Sequence, residues 1–79
     1  MIVHSLLQGQ ESAERIALLL SLTSISSTAI RAALYDHYVK GHPSQTVCFT
    51  YDITRQNFNR AMRKLNHVYS VTCAVHGIT

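Results

Sequence analysis

The stretch Ser44-Gln-Thr-Val-Cys-Phe-Thr-Tyr-Asp-Ile-Thr-Arg-Gln-Asn-Phe-Asn-Arg-Ala-Met-Arg63 decides the reading of this chain. It divides into a short segment of helical periodicity, a break at Asp52-Ile53-Thr54, and a longer segment that is apolar on one side only. Two helices crossing steeply through a turn of about three or four residues make definite demands on side chains. The first helix needs an inner apolar face and a small residue where the backbones approach. Val47 and Tyr51 supply the face, and Cys48 is the small residue. The turn needs a residue that tolerates positive φ, and Asp52 is one of the few non-glycine types that visit that region. Ile53 is the apolar plug behind it. Thr54 is a natural N-cap for the second helix, whose inward positions are Phe58, Ala61 and Leu65. The expectation is a helix-turn-helix from Ser44 to Arg63.

Helical geometry sharpens the second half of that motif. With about 100° per residue counted from Arg55, Phe58, Ala61, Met62, Leu65, Val68 and Tyr69 fall in one arc of roughly 220° to 340°. Arg55, Gln56, Asn59, Arg60, Arg63 and His67 fall in the opposite arc of roughly 0° to 140°, with Lys64 at its edge. Four of the seven basic residues (Arg55, Arg60, Arg63 and Lys64) lie within ten positions, and all four acids come earlier, the last being Asp52. An ordinary solvated helix face mixes glutamate with its cations, because such pairs stabilise helices at i, i+4. A face with Arg, Gln and Asn and without acids is built for a polyanion: Arg pairs with guanine edges or phosphates, Gln and Asn with adenine. Thr54, Arg55 and Gln56 open the helix nearest the bases or the flanking phosphates. Asn59 and Arg60 follow one turn later, while Arg63 and Lys64 suit phosphates, which position without specifying. Ser44 and Gln45 begin the bracing helix, whose free N–H groups also suit a phosphate.

The remainder reads as helix as well. A first helix is expected over 11–22, capped by Ser12, with Ile16, Leu19, Leu20 and Leu22 at helical spacing. The run Leu18 to Leu20 makes it apolar over a wide arc. Thr23-Ser-Ile-Ser-Ser27 is a connection that leaves Ser26 or Ser27 to cap a second helix, ending at Lys40-Gly41 where glycine accepts the left-handed conformation. Pro43 fits the start of the third helix, and a fourth runs over 55–71. Residues 1–10 and 73–79 are expected to be irregular. The fold class is therefore all-α, a single small domain of four to five helices.

Length and composition bound the function. A chain of 79 residues buries only about 60% of its unfolded surface, so a lone copy would be marginal. Pairing through Ile16, Leu19 and Leu20 would cover apolar surface that one copy leaves wet. With two cysteines, Cys48 and Cys73, one bridge is the most available; Cys48 reads as a buried thiol and the compartment as reducing cytosol. The first ten residues lack the features of a secretory signal, and the longest apolar run, Ile16 to Leu20, is too short for a membrane. Cys73-x-x-His76 and His37-x4-His42 have ligand-like spacing, yet no paired C-x-x-C supports a metal. No nucleophile stands with a base and orienter and no glycine-rich phosphate loop is present, so neither an enzyme, a cofactor nor a small-molecule substrate is expected. A helical protein–protein adaptor that modulates another regulator is the competing reading.

The run Ala32-Ala-Leu-Tyr-Asp-His-Tyr-Val-Lys-Gly41, then Val47-Cys-Phe-Thr-Tyr-Asp-Ile53 and finally Arg63-Lys-Leu65 resembles the PapB family, small regulators of adhesin (fimbrial) operons in enteric bacteria. The likeness runs from about Gln8 to about Ala74. It implies a cytoplasmic transcriptional regulator that binds AT-rich double-stranded DNA and assembles as dimers or larger oligomers. Cys48 is the cysteine carried over. The resemblance leads one to expect a cation near the start of the bracing helix, where this sequence has Ser44.

Overall fold

The computed structural model describes residues 6–76, with side chains to 73. Four α-helices, α1 (Ala13–Ser21), α2 (Thr28–Tyr35), α3 (Ser44–Thr50) and α4 (Arg55–His76), make up the regular structure, with a π-helical turn (Asp36–Lys40) continuing α2. The described residues contain no strand.

Each boundary has a local cause. Ser12 caps α1 by accepting from the Arg15 N–H at 3.1 Å, and Ser27 caps α2 by accepting from Ile30 N–H at 3.3 Å. Of the two serines available, Ser27 takes the role. The second helix does not run evenly to Lys40: its last five residues widen into the π turn. Widening alters the register, so that Asp36, His37 and Tyr38 are all buried in succession. Gly41 ends it at φ 84°, the left-handed conformation that costs glycine little.

Residues 6–10 lie outside regular structure, as expected, but they are packed rather than loose. Leu6 is buried, the Gly9 N–H donates to His37 O at 3.1 Å, and the Glu11 N–H donates to Tyr38 O at 3.1 Å. The strap therefore satisfies carbonyls that the π turn leaves open. It passes so close that a Cβ on Gly9 would lie 3.0 Å from the Gly41 Cα. Positions 1–5 are outside the described residues.

The expected irregular tail is corrected. Helix α4 runs past Val71 and Cys73 to His76, since nothing in Thr72-Cys-Ala-Val interrupts its hydrogen bonding; only 77–79 fall outside the described residues. Pairing through Ile16, Leu19 and Leu20 is corrected as well. All three are buried inside the domain, because α1 packs against α2 and α4 of its own chain. The large apolar side chains left exposed here are Leu18 on α1 and Leu22, its C-cap.

One core joins the elements: Ile16, Leu34, Val47, Phe58 and Leu65 are its largest fully buried side chains. Phe58 is at its centre, edge-on to the His37 ring at 5.7 Å between centroids. Replacing Phe58 with alanine should cost about 3–5 kcal/mol, the range for a large aromatic removed from a close-packed core. Urea unfolding followed by circular dichroism reads that loss; a cost below about 1 kcal/mol would show that this site is not the centre of the packing.

Candidate nucleic-acid interface

The turn between α3 and α4 sets the presentation of every candidate side chain. Asp52 has φ 54° and is the one non-glycine position with positive φ among the described residues. Around it the chain closes in a Schellman arrangement: Ile53 N–H donates to Cys48 O at 2.9 Å, and Asp52 N–H to Phe49 O at 3.4 Å. Ile53 is half-buried against the core. Thr54 then caps α4, its hydroxyl accepting from Asn57 N–H at 3.1 Å. Val47, Cys48, Phe58, Ala61 and Leu65 are buried as the motif requires, and Tyr51 is half-buried.

Tyr51 does more than fill space. Its hydroxyl donates to Asp36 Oδ2 at 2.6 Å, while Lys40 Nζ stands 3.6 Å from the other oxygen of that carboxylate. The bond ties the end of α3 to the π turn, so α3 cannot shift without breaking a charge-assisted contact. A second polar tie involves Asn66, which accepts from Leu6 N–H at 2.7 Å and donates to Tyr38 Oη at 3.0 Å. By angle alone Asn66 falls on the outer face of α4, at roughly 20° from Arg55. The strap covers that edge and turns it inward. Neither tie is visible as a sequence motif, because each joins residues on separate elements.

The outer face of α4 is as the spacing predicts. Thr54, Arg55, Gln56, Asn59, Arg60, Arg63 and Lys64 are all exposed; Gln45 is exposed on α3 and Ser44 half-exposed. The two ion pairs among the described residues engage Arg15 with Glu11 and Lys40 with Asp36. Arg55, Arg60, Arg63 and Lys64 therefore carry charge that no acid of the described chain neutralises. No group of three or more His, Cys, Asp or Glu able to hold a metal occurs among the described residues. The ring of His37 instead bonds through Nδ1 to His42 O at 2.8 Å, and both cysteines are free thiols. No described helix is long and apolar enough to cross a membrane.

Residues 2–77 match the family described as adhesin biosynthesis transcription regulatory protein, PapB. The chain belongs to this family. A solved relative in shape is described as the crystal structure of E. coli FocB at 1.4 Å resolution; the two superpose with a TM-score of 0.88 at 25% identity, over 95% of this chain and 85% of that one. Comparison with curated protein sequences gives no match. The chain is thus a member of a transcription-regulator family with an all-helical, FocB-like fold.

Two phenols around the π turn should contribute to its behaviour in alkali. Donation to Asp36 holds the Tyr51 hydroxyl above its ordinary value of 10.0, and burial does the same for Tyr38. Both pKa values are raised on folding, so the folded chain keeps these protons better than the unfolded one. Their contribution is fully present below pH 10 and is lost as pH climbs through and beyond it. Thermal unfolding from pH 7 to 11 should show melting temperature falling at the alkaline end. Tyr51→Phe should melt lower at pH 7 and fall less steeply above pH 10; an unchanged profile would remove the Asp36 bond from the account.

Proposed function

We propose that this protein is a sequence-selective regulator that binds double-stranded DNA with the outer face of α4, braced by α3. The observation that carries this is the set Arg55, Gln56, Asn59, Arg60, Arg63 and Lys64, exposed on one helix that contains no acid. Its type of side chain fits both base edges and phosphates. The Schellman turn and the Thr54 cap fix the axis of α4 relative to the core, which supports reading by a rigid element. Membership of a family described as regulators of adhesin biosynthesis supports a fimbrial operon as the target, and AT-rich sites beside it are part of the proposal. Action as a dimer or oligomer in the cytoplasm is part of the same proposal. The exposed Leu18 of α1 and Leu22 at its C-cap offer apolar surface for contact between copies.

Affinity for an AT-rich duplex, measured by fluorescence anisotropy across a salt series, tests the reading. If the four cations displace four counterions, log K should fall against log salt with a slope of about −3.6 per bound protomer. Absence of binding even at low salt would favour a protein–protein adaptor. Arg60→Ala should cost about 1–3 kcal/mol of binding with helicity intact; unchanged affinity would take Arg60 off the contact surface.

A further inference from the structure

The connection between α1 and α2 lies beside the cationic face of α4 and forms the second wall of a cleft. Thr23 and Ser24 stand on one side, and Arg60, Arg63, Lys64 and His67 on the other, around about 490 Å³ of space. The cleft continues along α4 into a second recess, where Ser24, Ser26 and Ser27 face Asn57, Arg60 and Lys64. Ser24, Arg60 and Lys64 line both. The whole groove follows α4 from Asn57 to Val68, a rise of about 16 Å at 1.5 Å per residue.

The hydroxyl wall is held in place from within. Thr23 Oγ1 donates to Leu20 O at 2.8 Å and accepts from Ile25 N–H at 3.3 Å. Ile25 is buried as an anchor, and its carbonyl accepts from Arg31 Nη1 at 3.0 Å. Ser27 is used as the cap of α2. Among the described residues the hydroxyls of Ser24 and Ser26 take no hydrogen-bond partner, and both residues are exposed. A fixed connection thus presents two uncommitted donors opposite a row of uncompensated cations. Little entropy remains to be lost when they bind.

We propose that this groove seats the sugar-phosphate backbone of one DNA strand, with Ser24 and Ser26 donating to phosphate oxygens that Arg60 and Lys64 neutralise. Uncharged hydroxyl donors paired with cations, with no acid on either wall, match a phosphodiester. The inference rests on the DNA-binding reading above and adds to it a division of labour. Gln56 and Asn59 stand for base reading, whereas the cleft supplies position without sequence information. Arg60 thereby moves from the base-reading set to the backbone set.

The test compares the full chain with Ser24→Asp/Ser26→Asp and Ser24→Ala/Ser26→Ala variants on an AT-rich duplex and on a scrambled duplex of equal length. Both sites are exposed, and circular dichroism with thermal melting checks that the variants fold. The Asp pair should weaken binding to both duplexes by the same factor, about tenfold or more, and make the salt slope shallower by about 1 to 2. The Ala pair should weaken both equally but less, with the salt slope retained. Gln56→Ala should instead change the ratio between the duplexes. Parent-like affinity in both serine variants would overturn the backbone groove while leaving DNA binding in place, and so would a loss confined to one duplex. If the parent chain binds neither duplex, the regulator reading fails and this inference fails with it.

Discussion

A carboxylate taken out of water must find donors, and that of Asp36 finds two. Its side chain accepts from the Tyr51 hydroxyl and faces the Lys40 ammonium, while its backbone carbonyl accepts from the His42 N–H at 3.1 Å. These contacts join the π turn, the link after Gly41 and the end of α3. Removing either side-chain partner would leave a charge with too little solvation, so the geometry is specified by what it would cost to leave Asp36 unpaired. With α3 fixed in this way, the turn at Asp52 determines where α4 points. The outer face of α4 inherits its orientation from a residue that never touches it.

Much of this was legible in the amino-acid order because its signals are local. Ser12, Thr54, Gly41 and Asp52 act on their immediate neighbours, and the 3.6-residue period of Phe58, Ala61 and Leu65 records which side of α4 is covered. What could not be read depends on pairs of distant residues. The π turn is matched by N–H groups that the strap supplies from Gly9 and Glu11 to carbonyls at His37 and Tyr38; nothing in the run Asp36–Lys40 announces it. The fate of Ile16, Leu19 and Leu20 shows the same limit. Their periodicity marks a covered face, but a pattern of apolar positions is identical whether the cover comes from the same chain or from a second copy. Asn66 is the counterpart on α4, exposed by its angle and covered by the strap.

Electrostatics divides the molecule in a simple way. The acids sit where they have local structural work: Glu11 receives Arg15 and the Leu7 N–H, Glu14 lies at the positive end of α1, and Asp36 holds α3. Asp52 is at the turn for its conformation rather than its charge. Among the described residues none forms an ion pair with the cations of α4. The modest net charge of +3 therefore understates the field at that one face. Clustering, more than total charge, determines how strongly a surface attracts a polyanion within a Debye length of about 8 Å.

The hydrogen bond from the Leu6 N–H to Asn66 joins residues 60 positions apart, and that separation bears on how the chain is made. Closing so long a loop is entropically costly and must wait for its far end. During synthesis the strap emerges before α4, yet it has no complete seat until α4 has been made. Until then Leu6 and the inner face of α1 lack the surface that will cover them. The domain is thus closed by a contact between its N-terminal strap and its last helix, so its packing is complete only once α4 is in place.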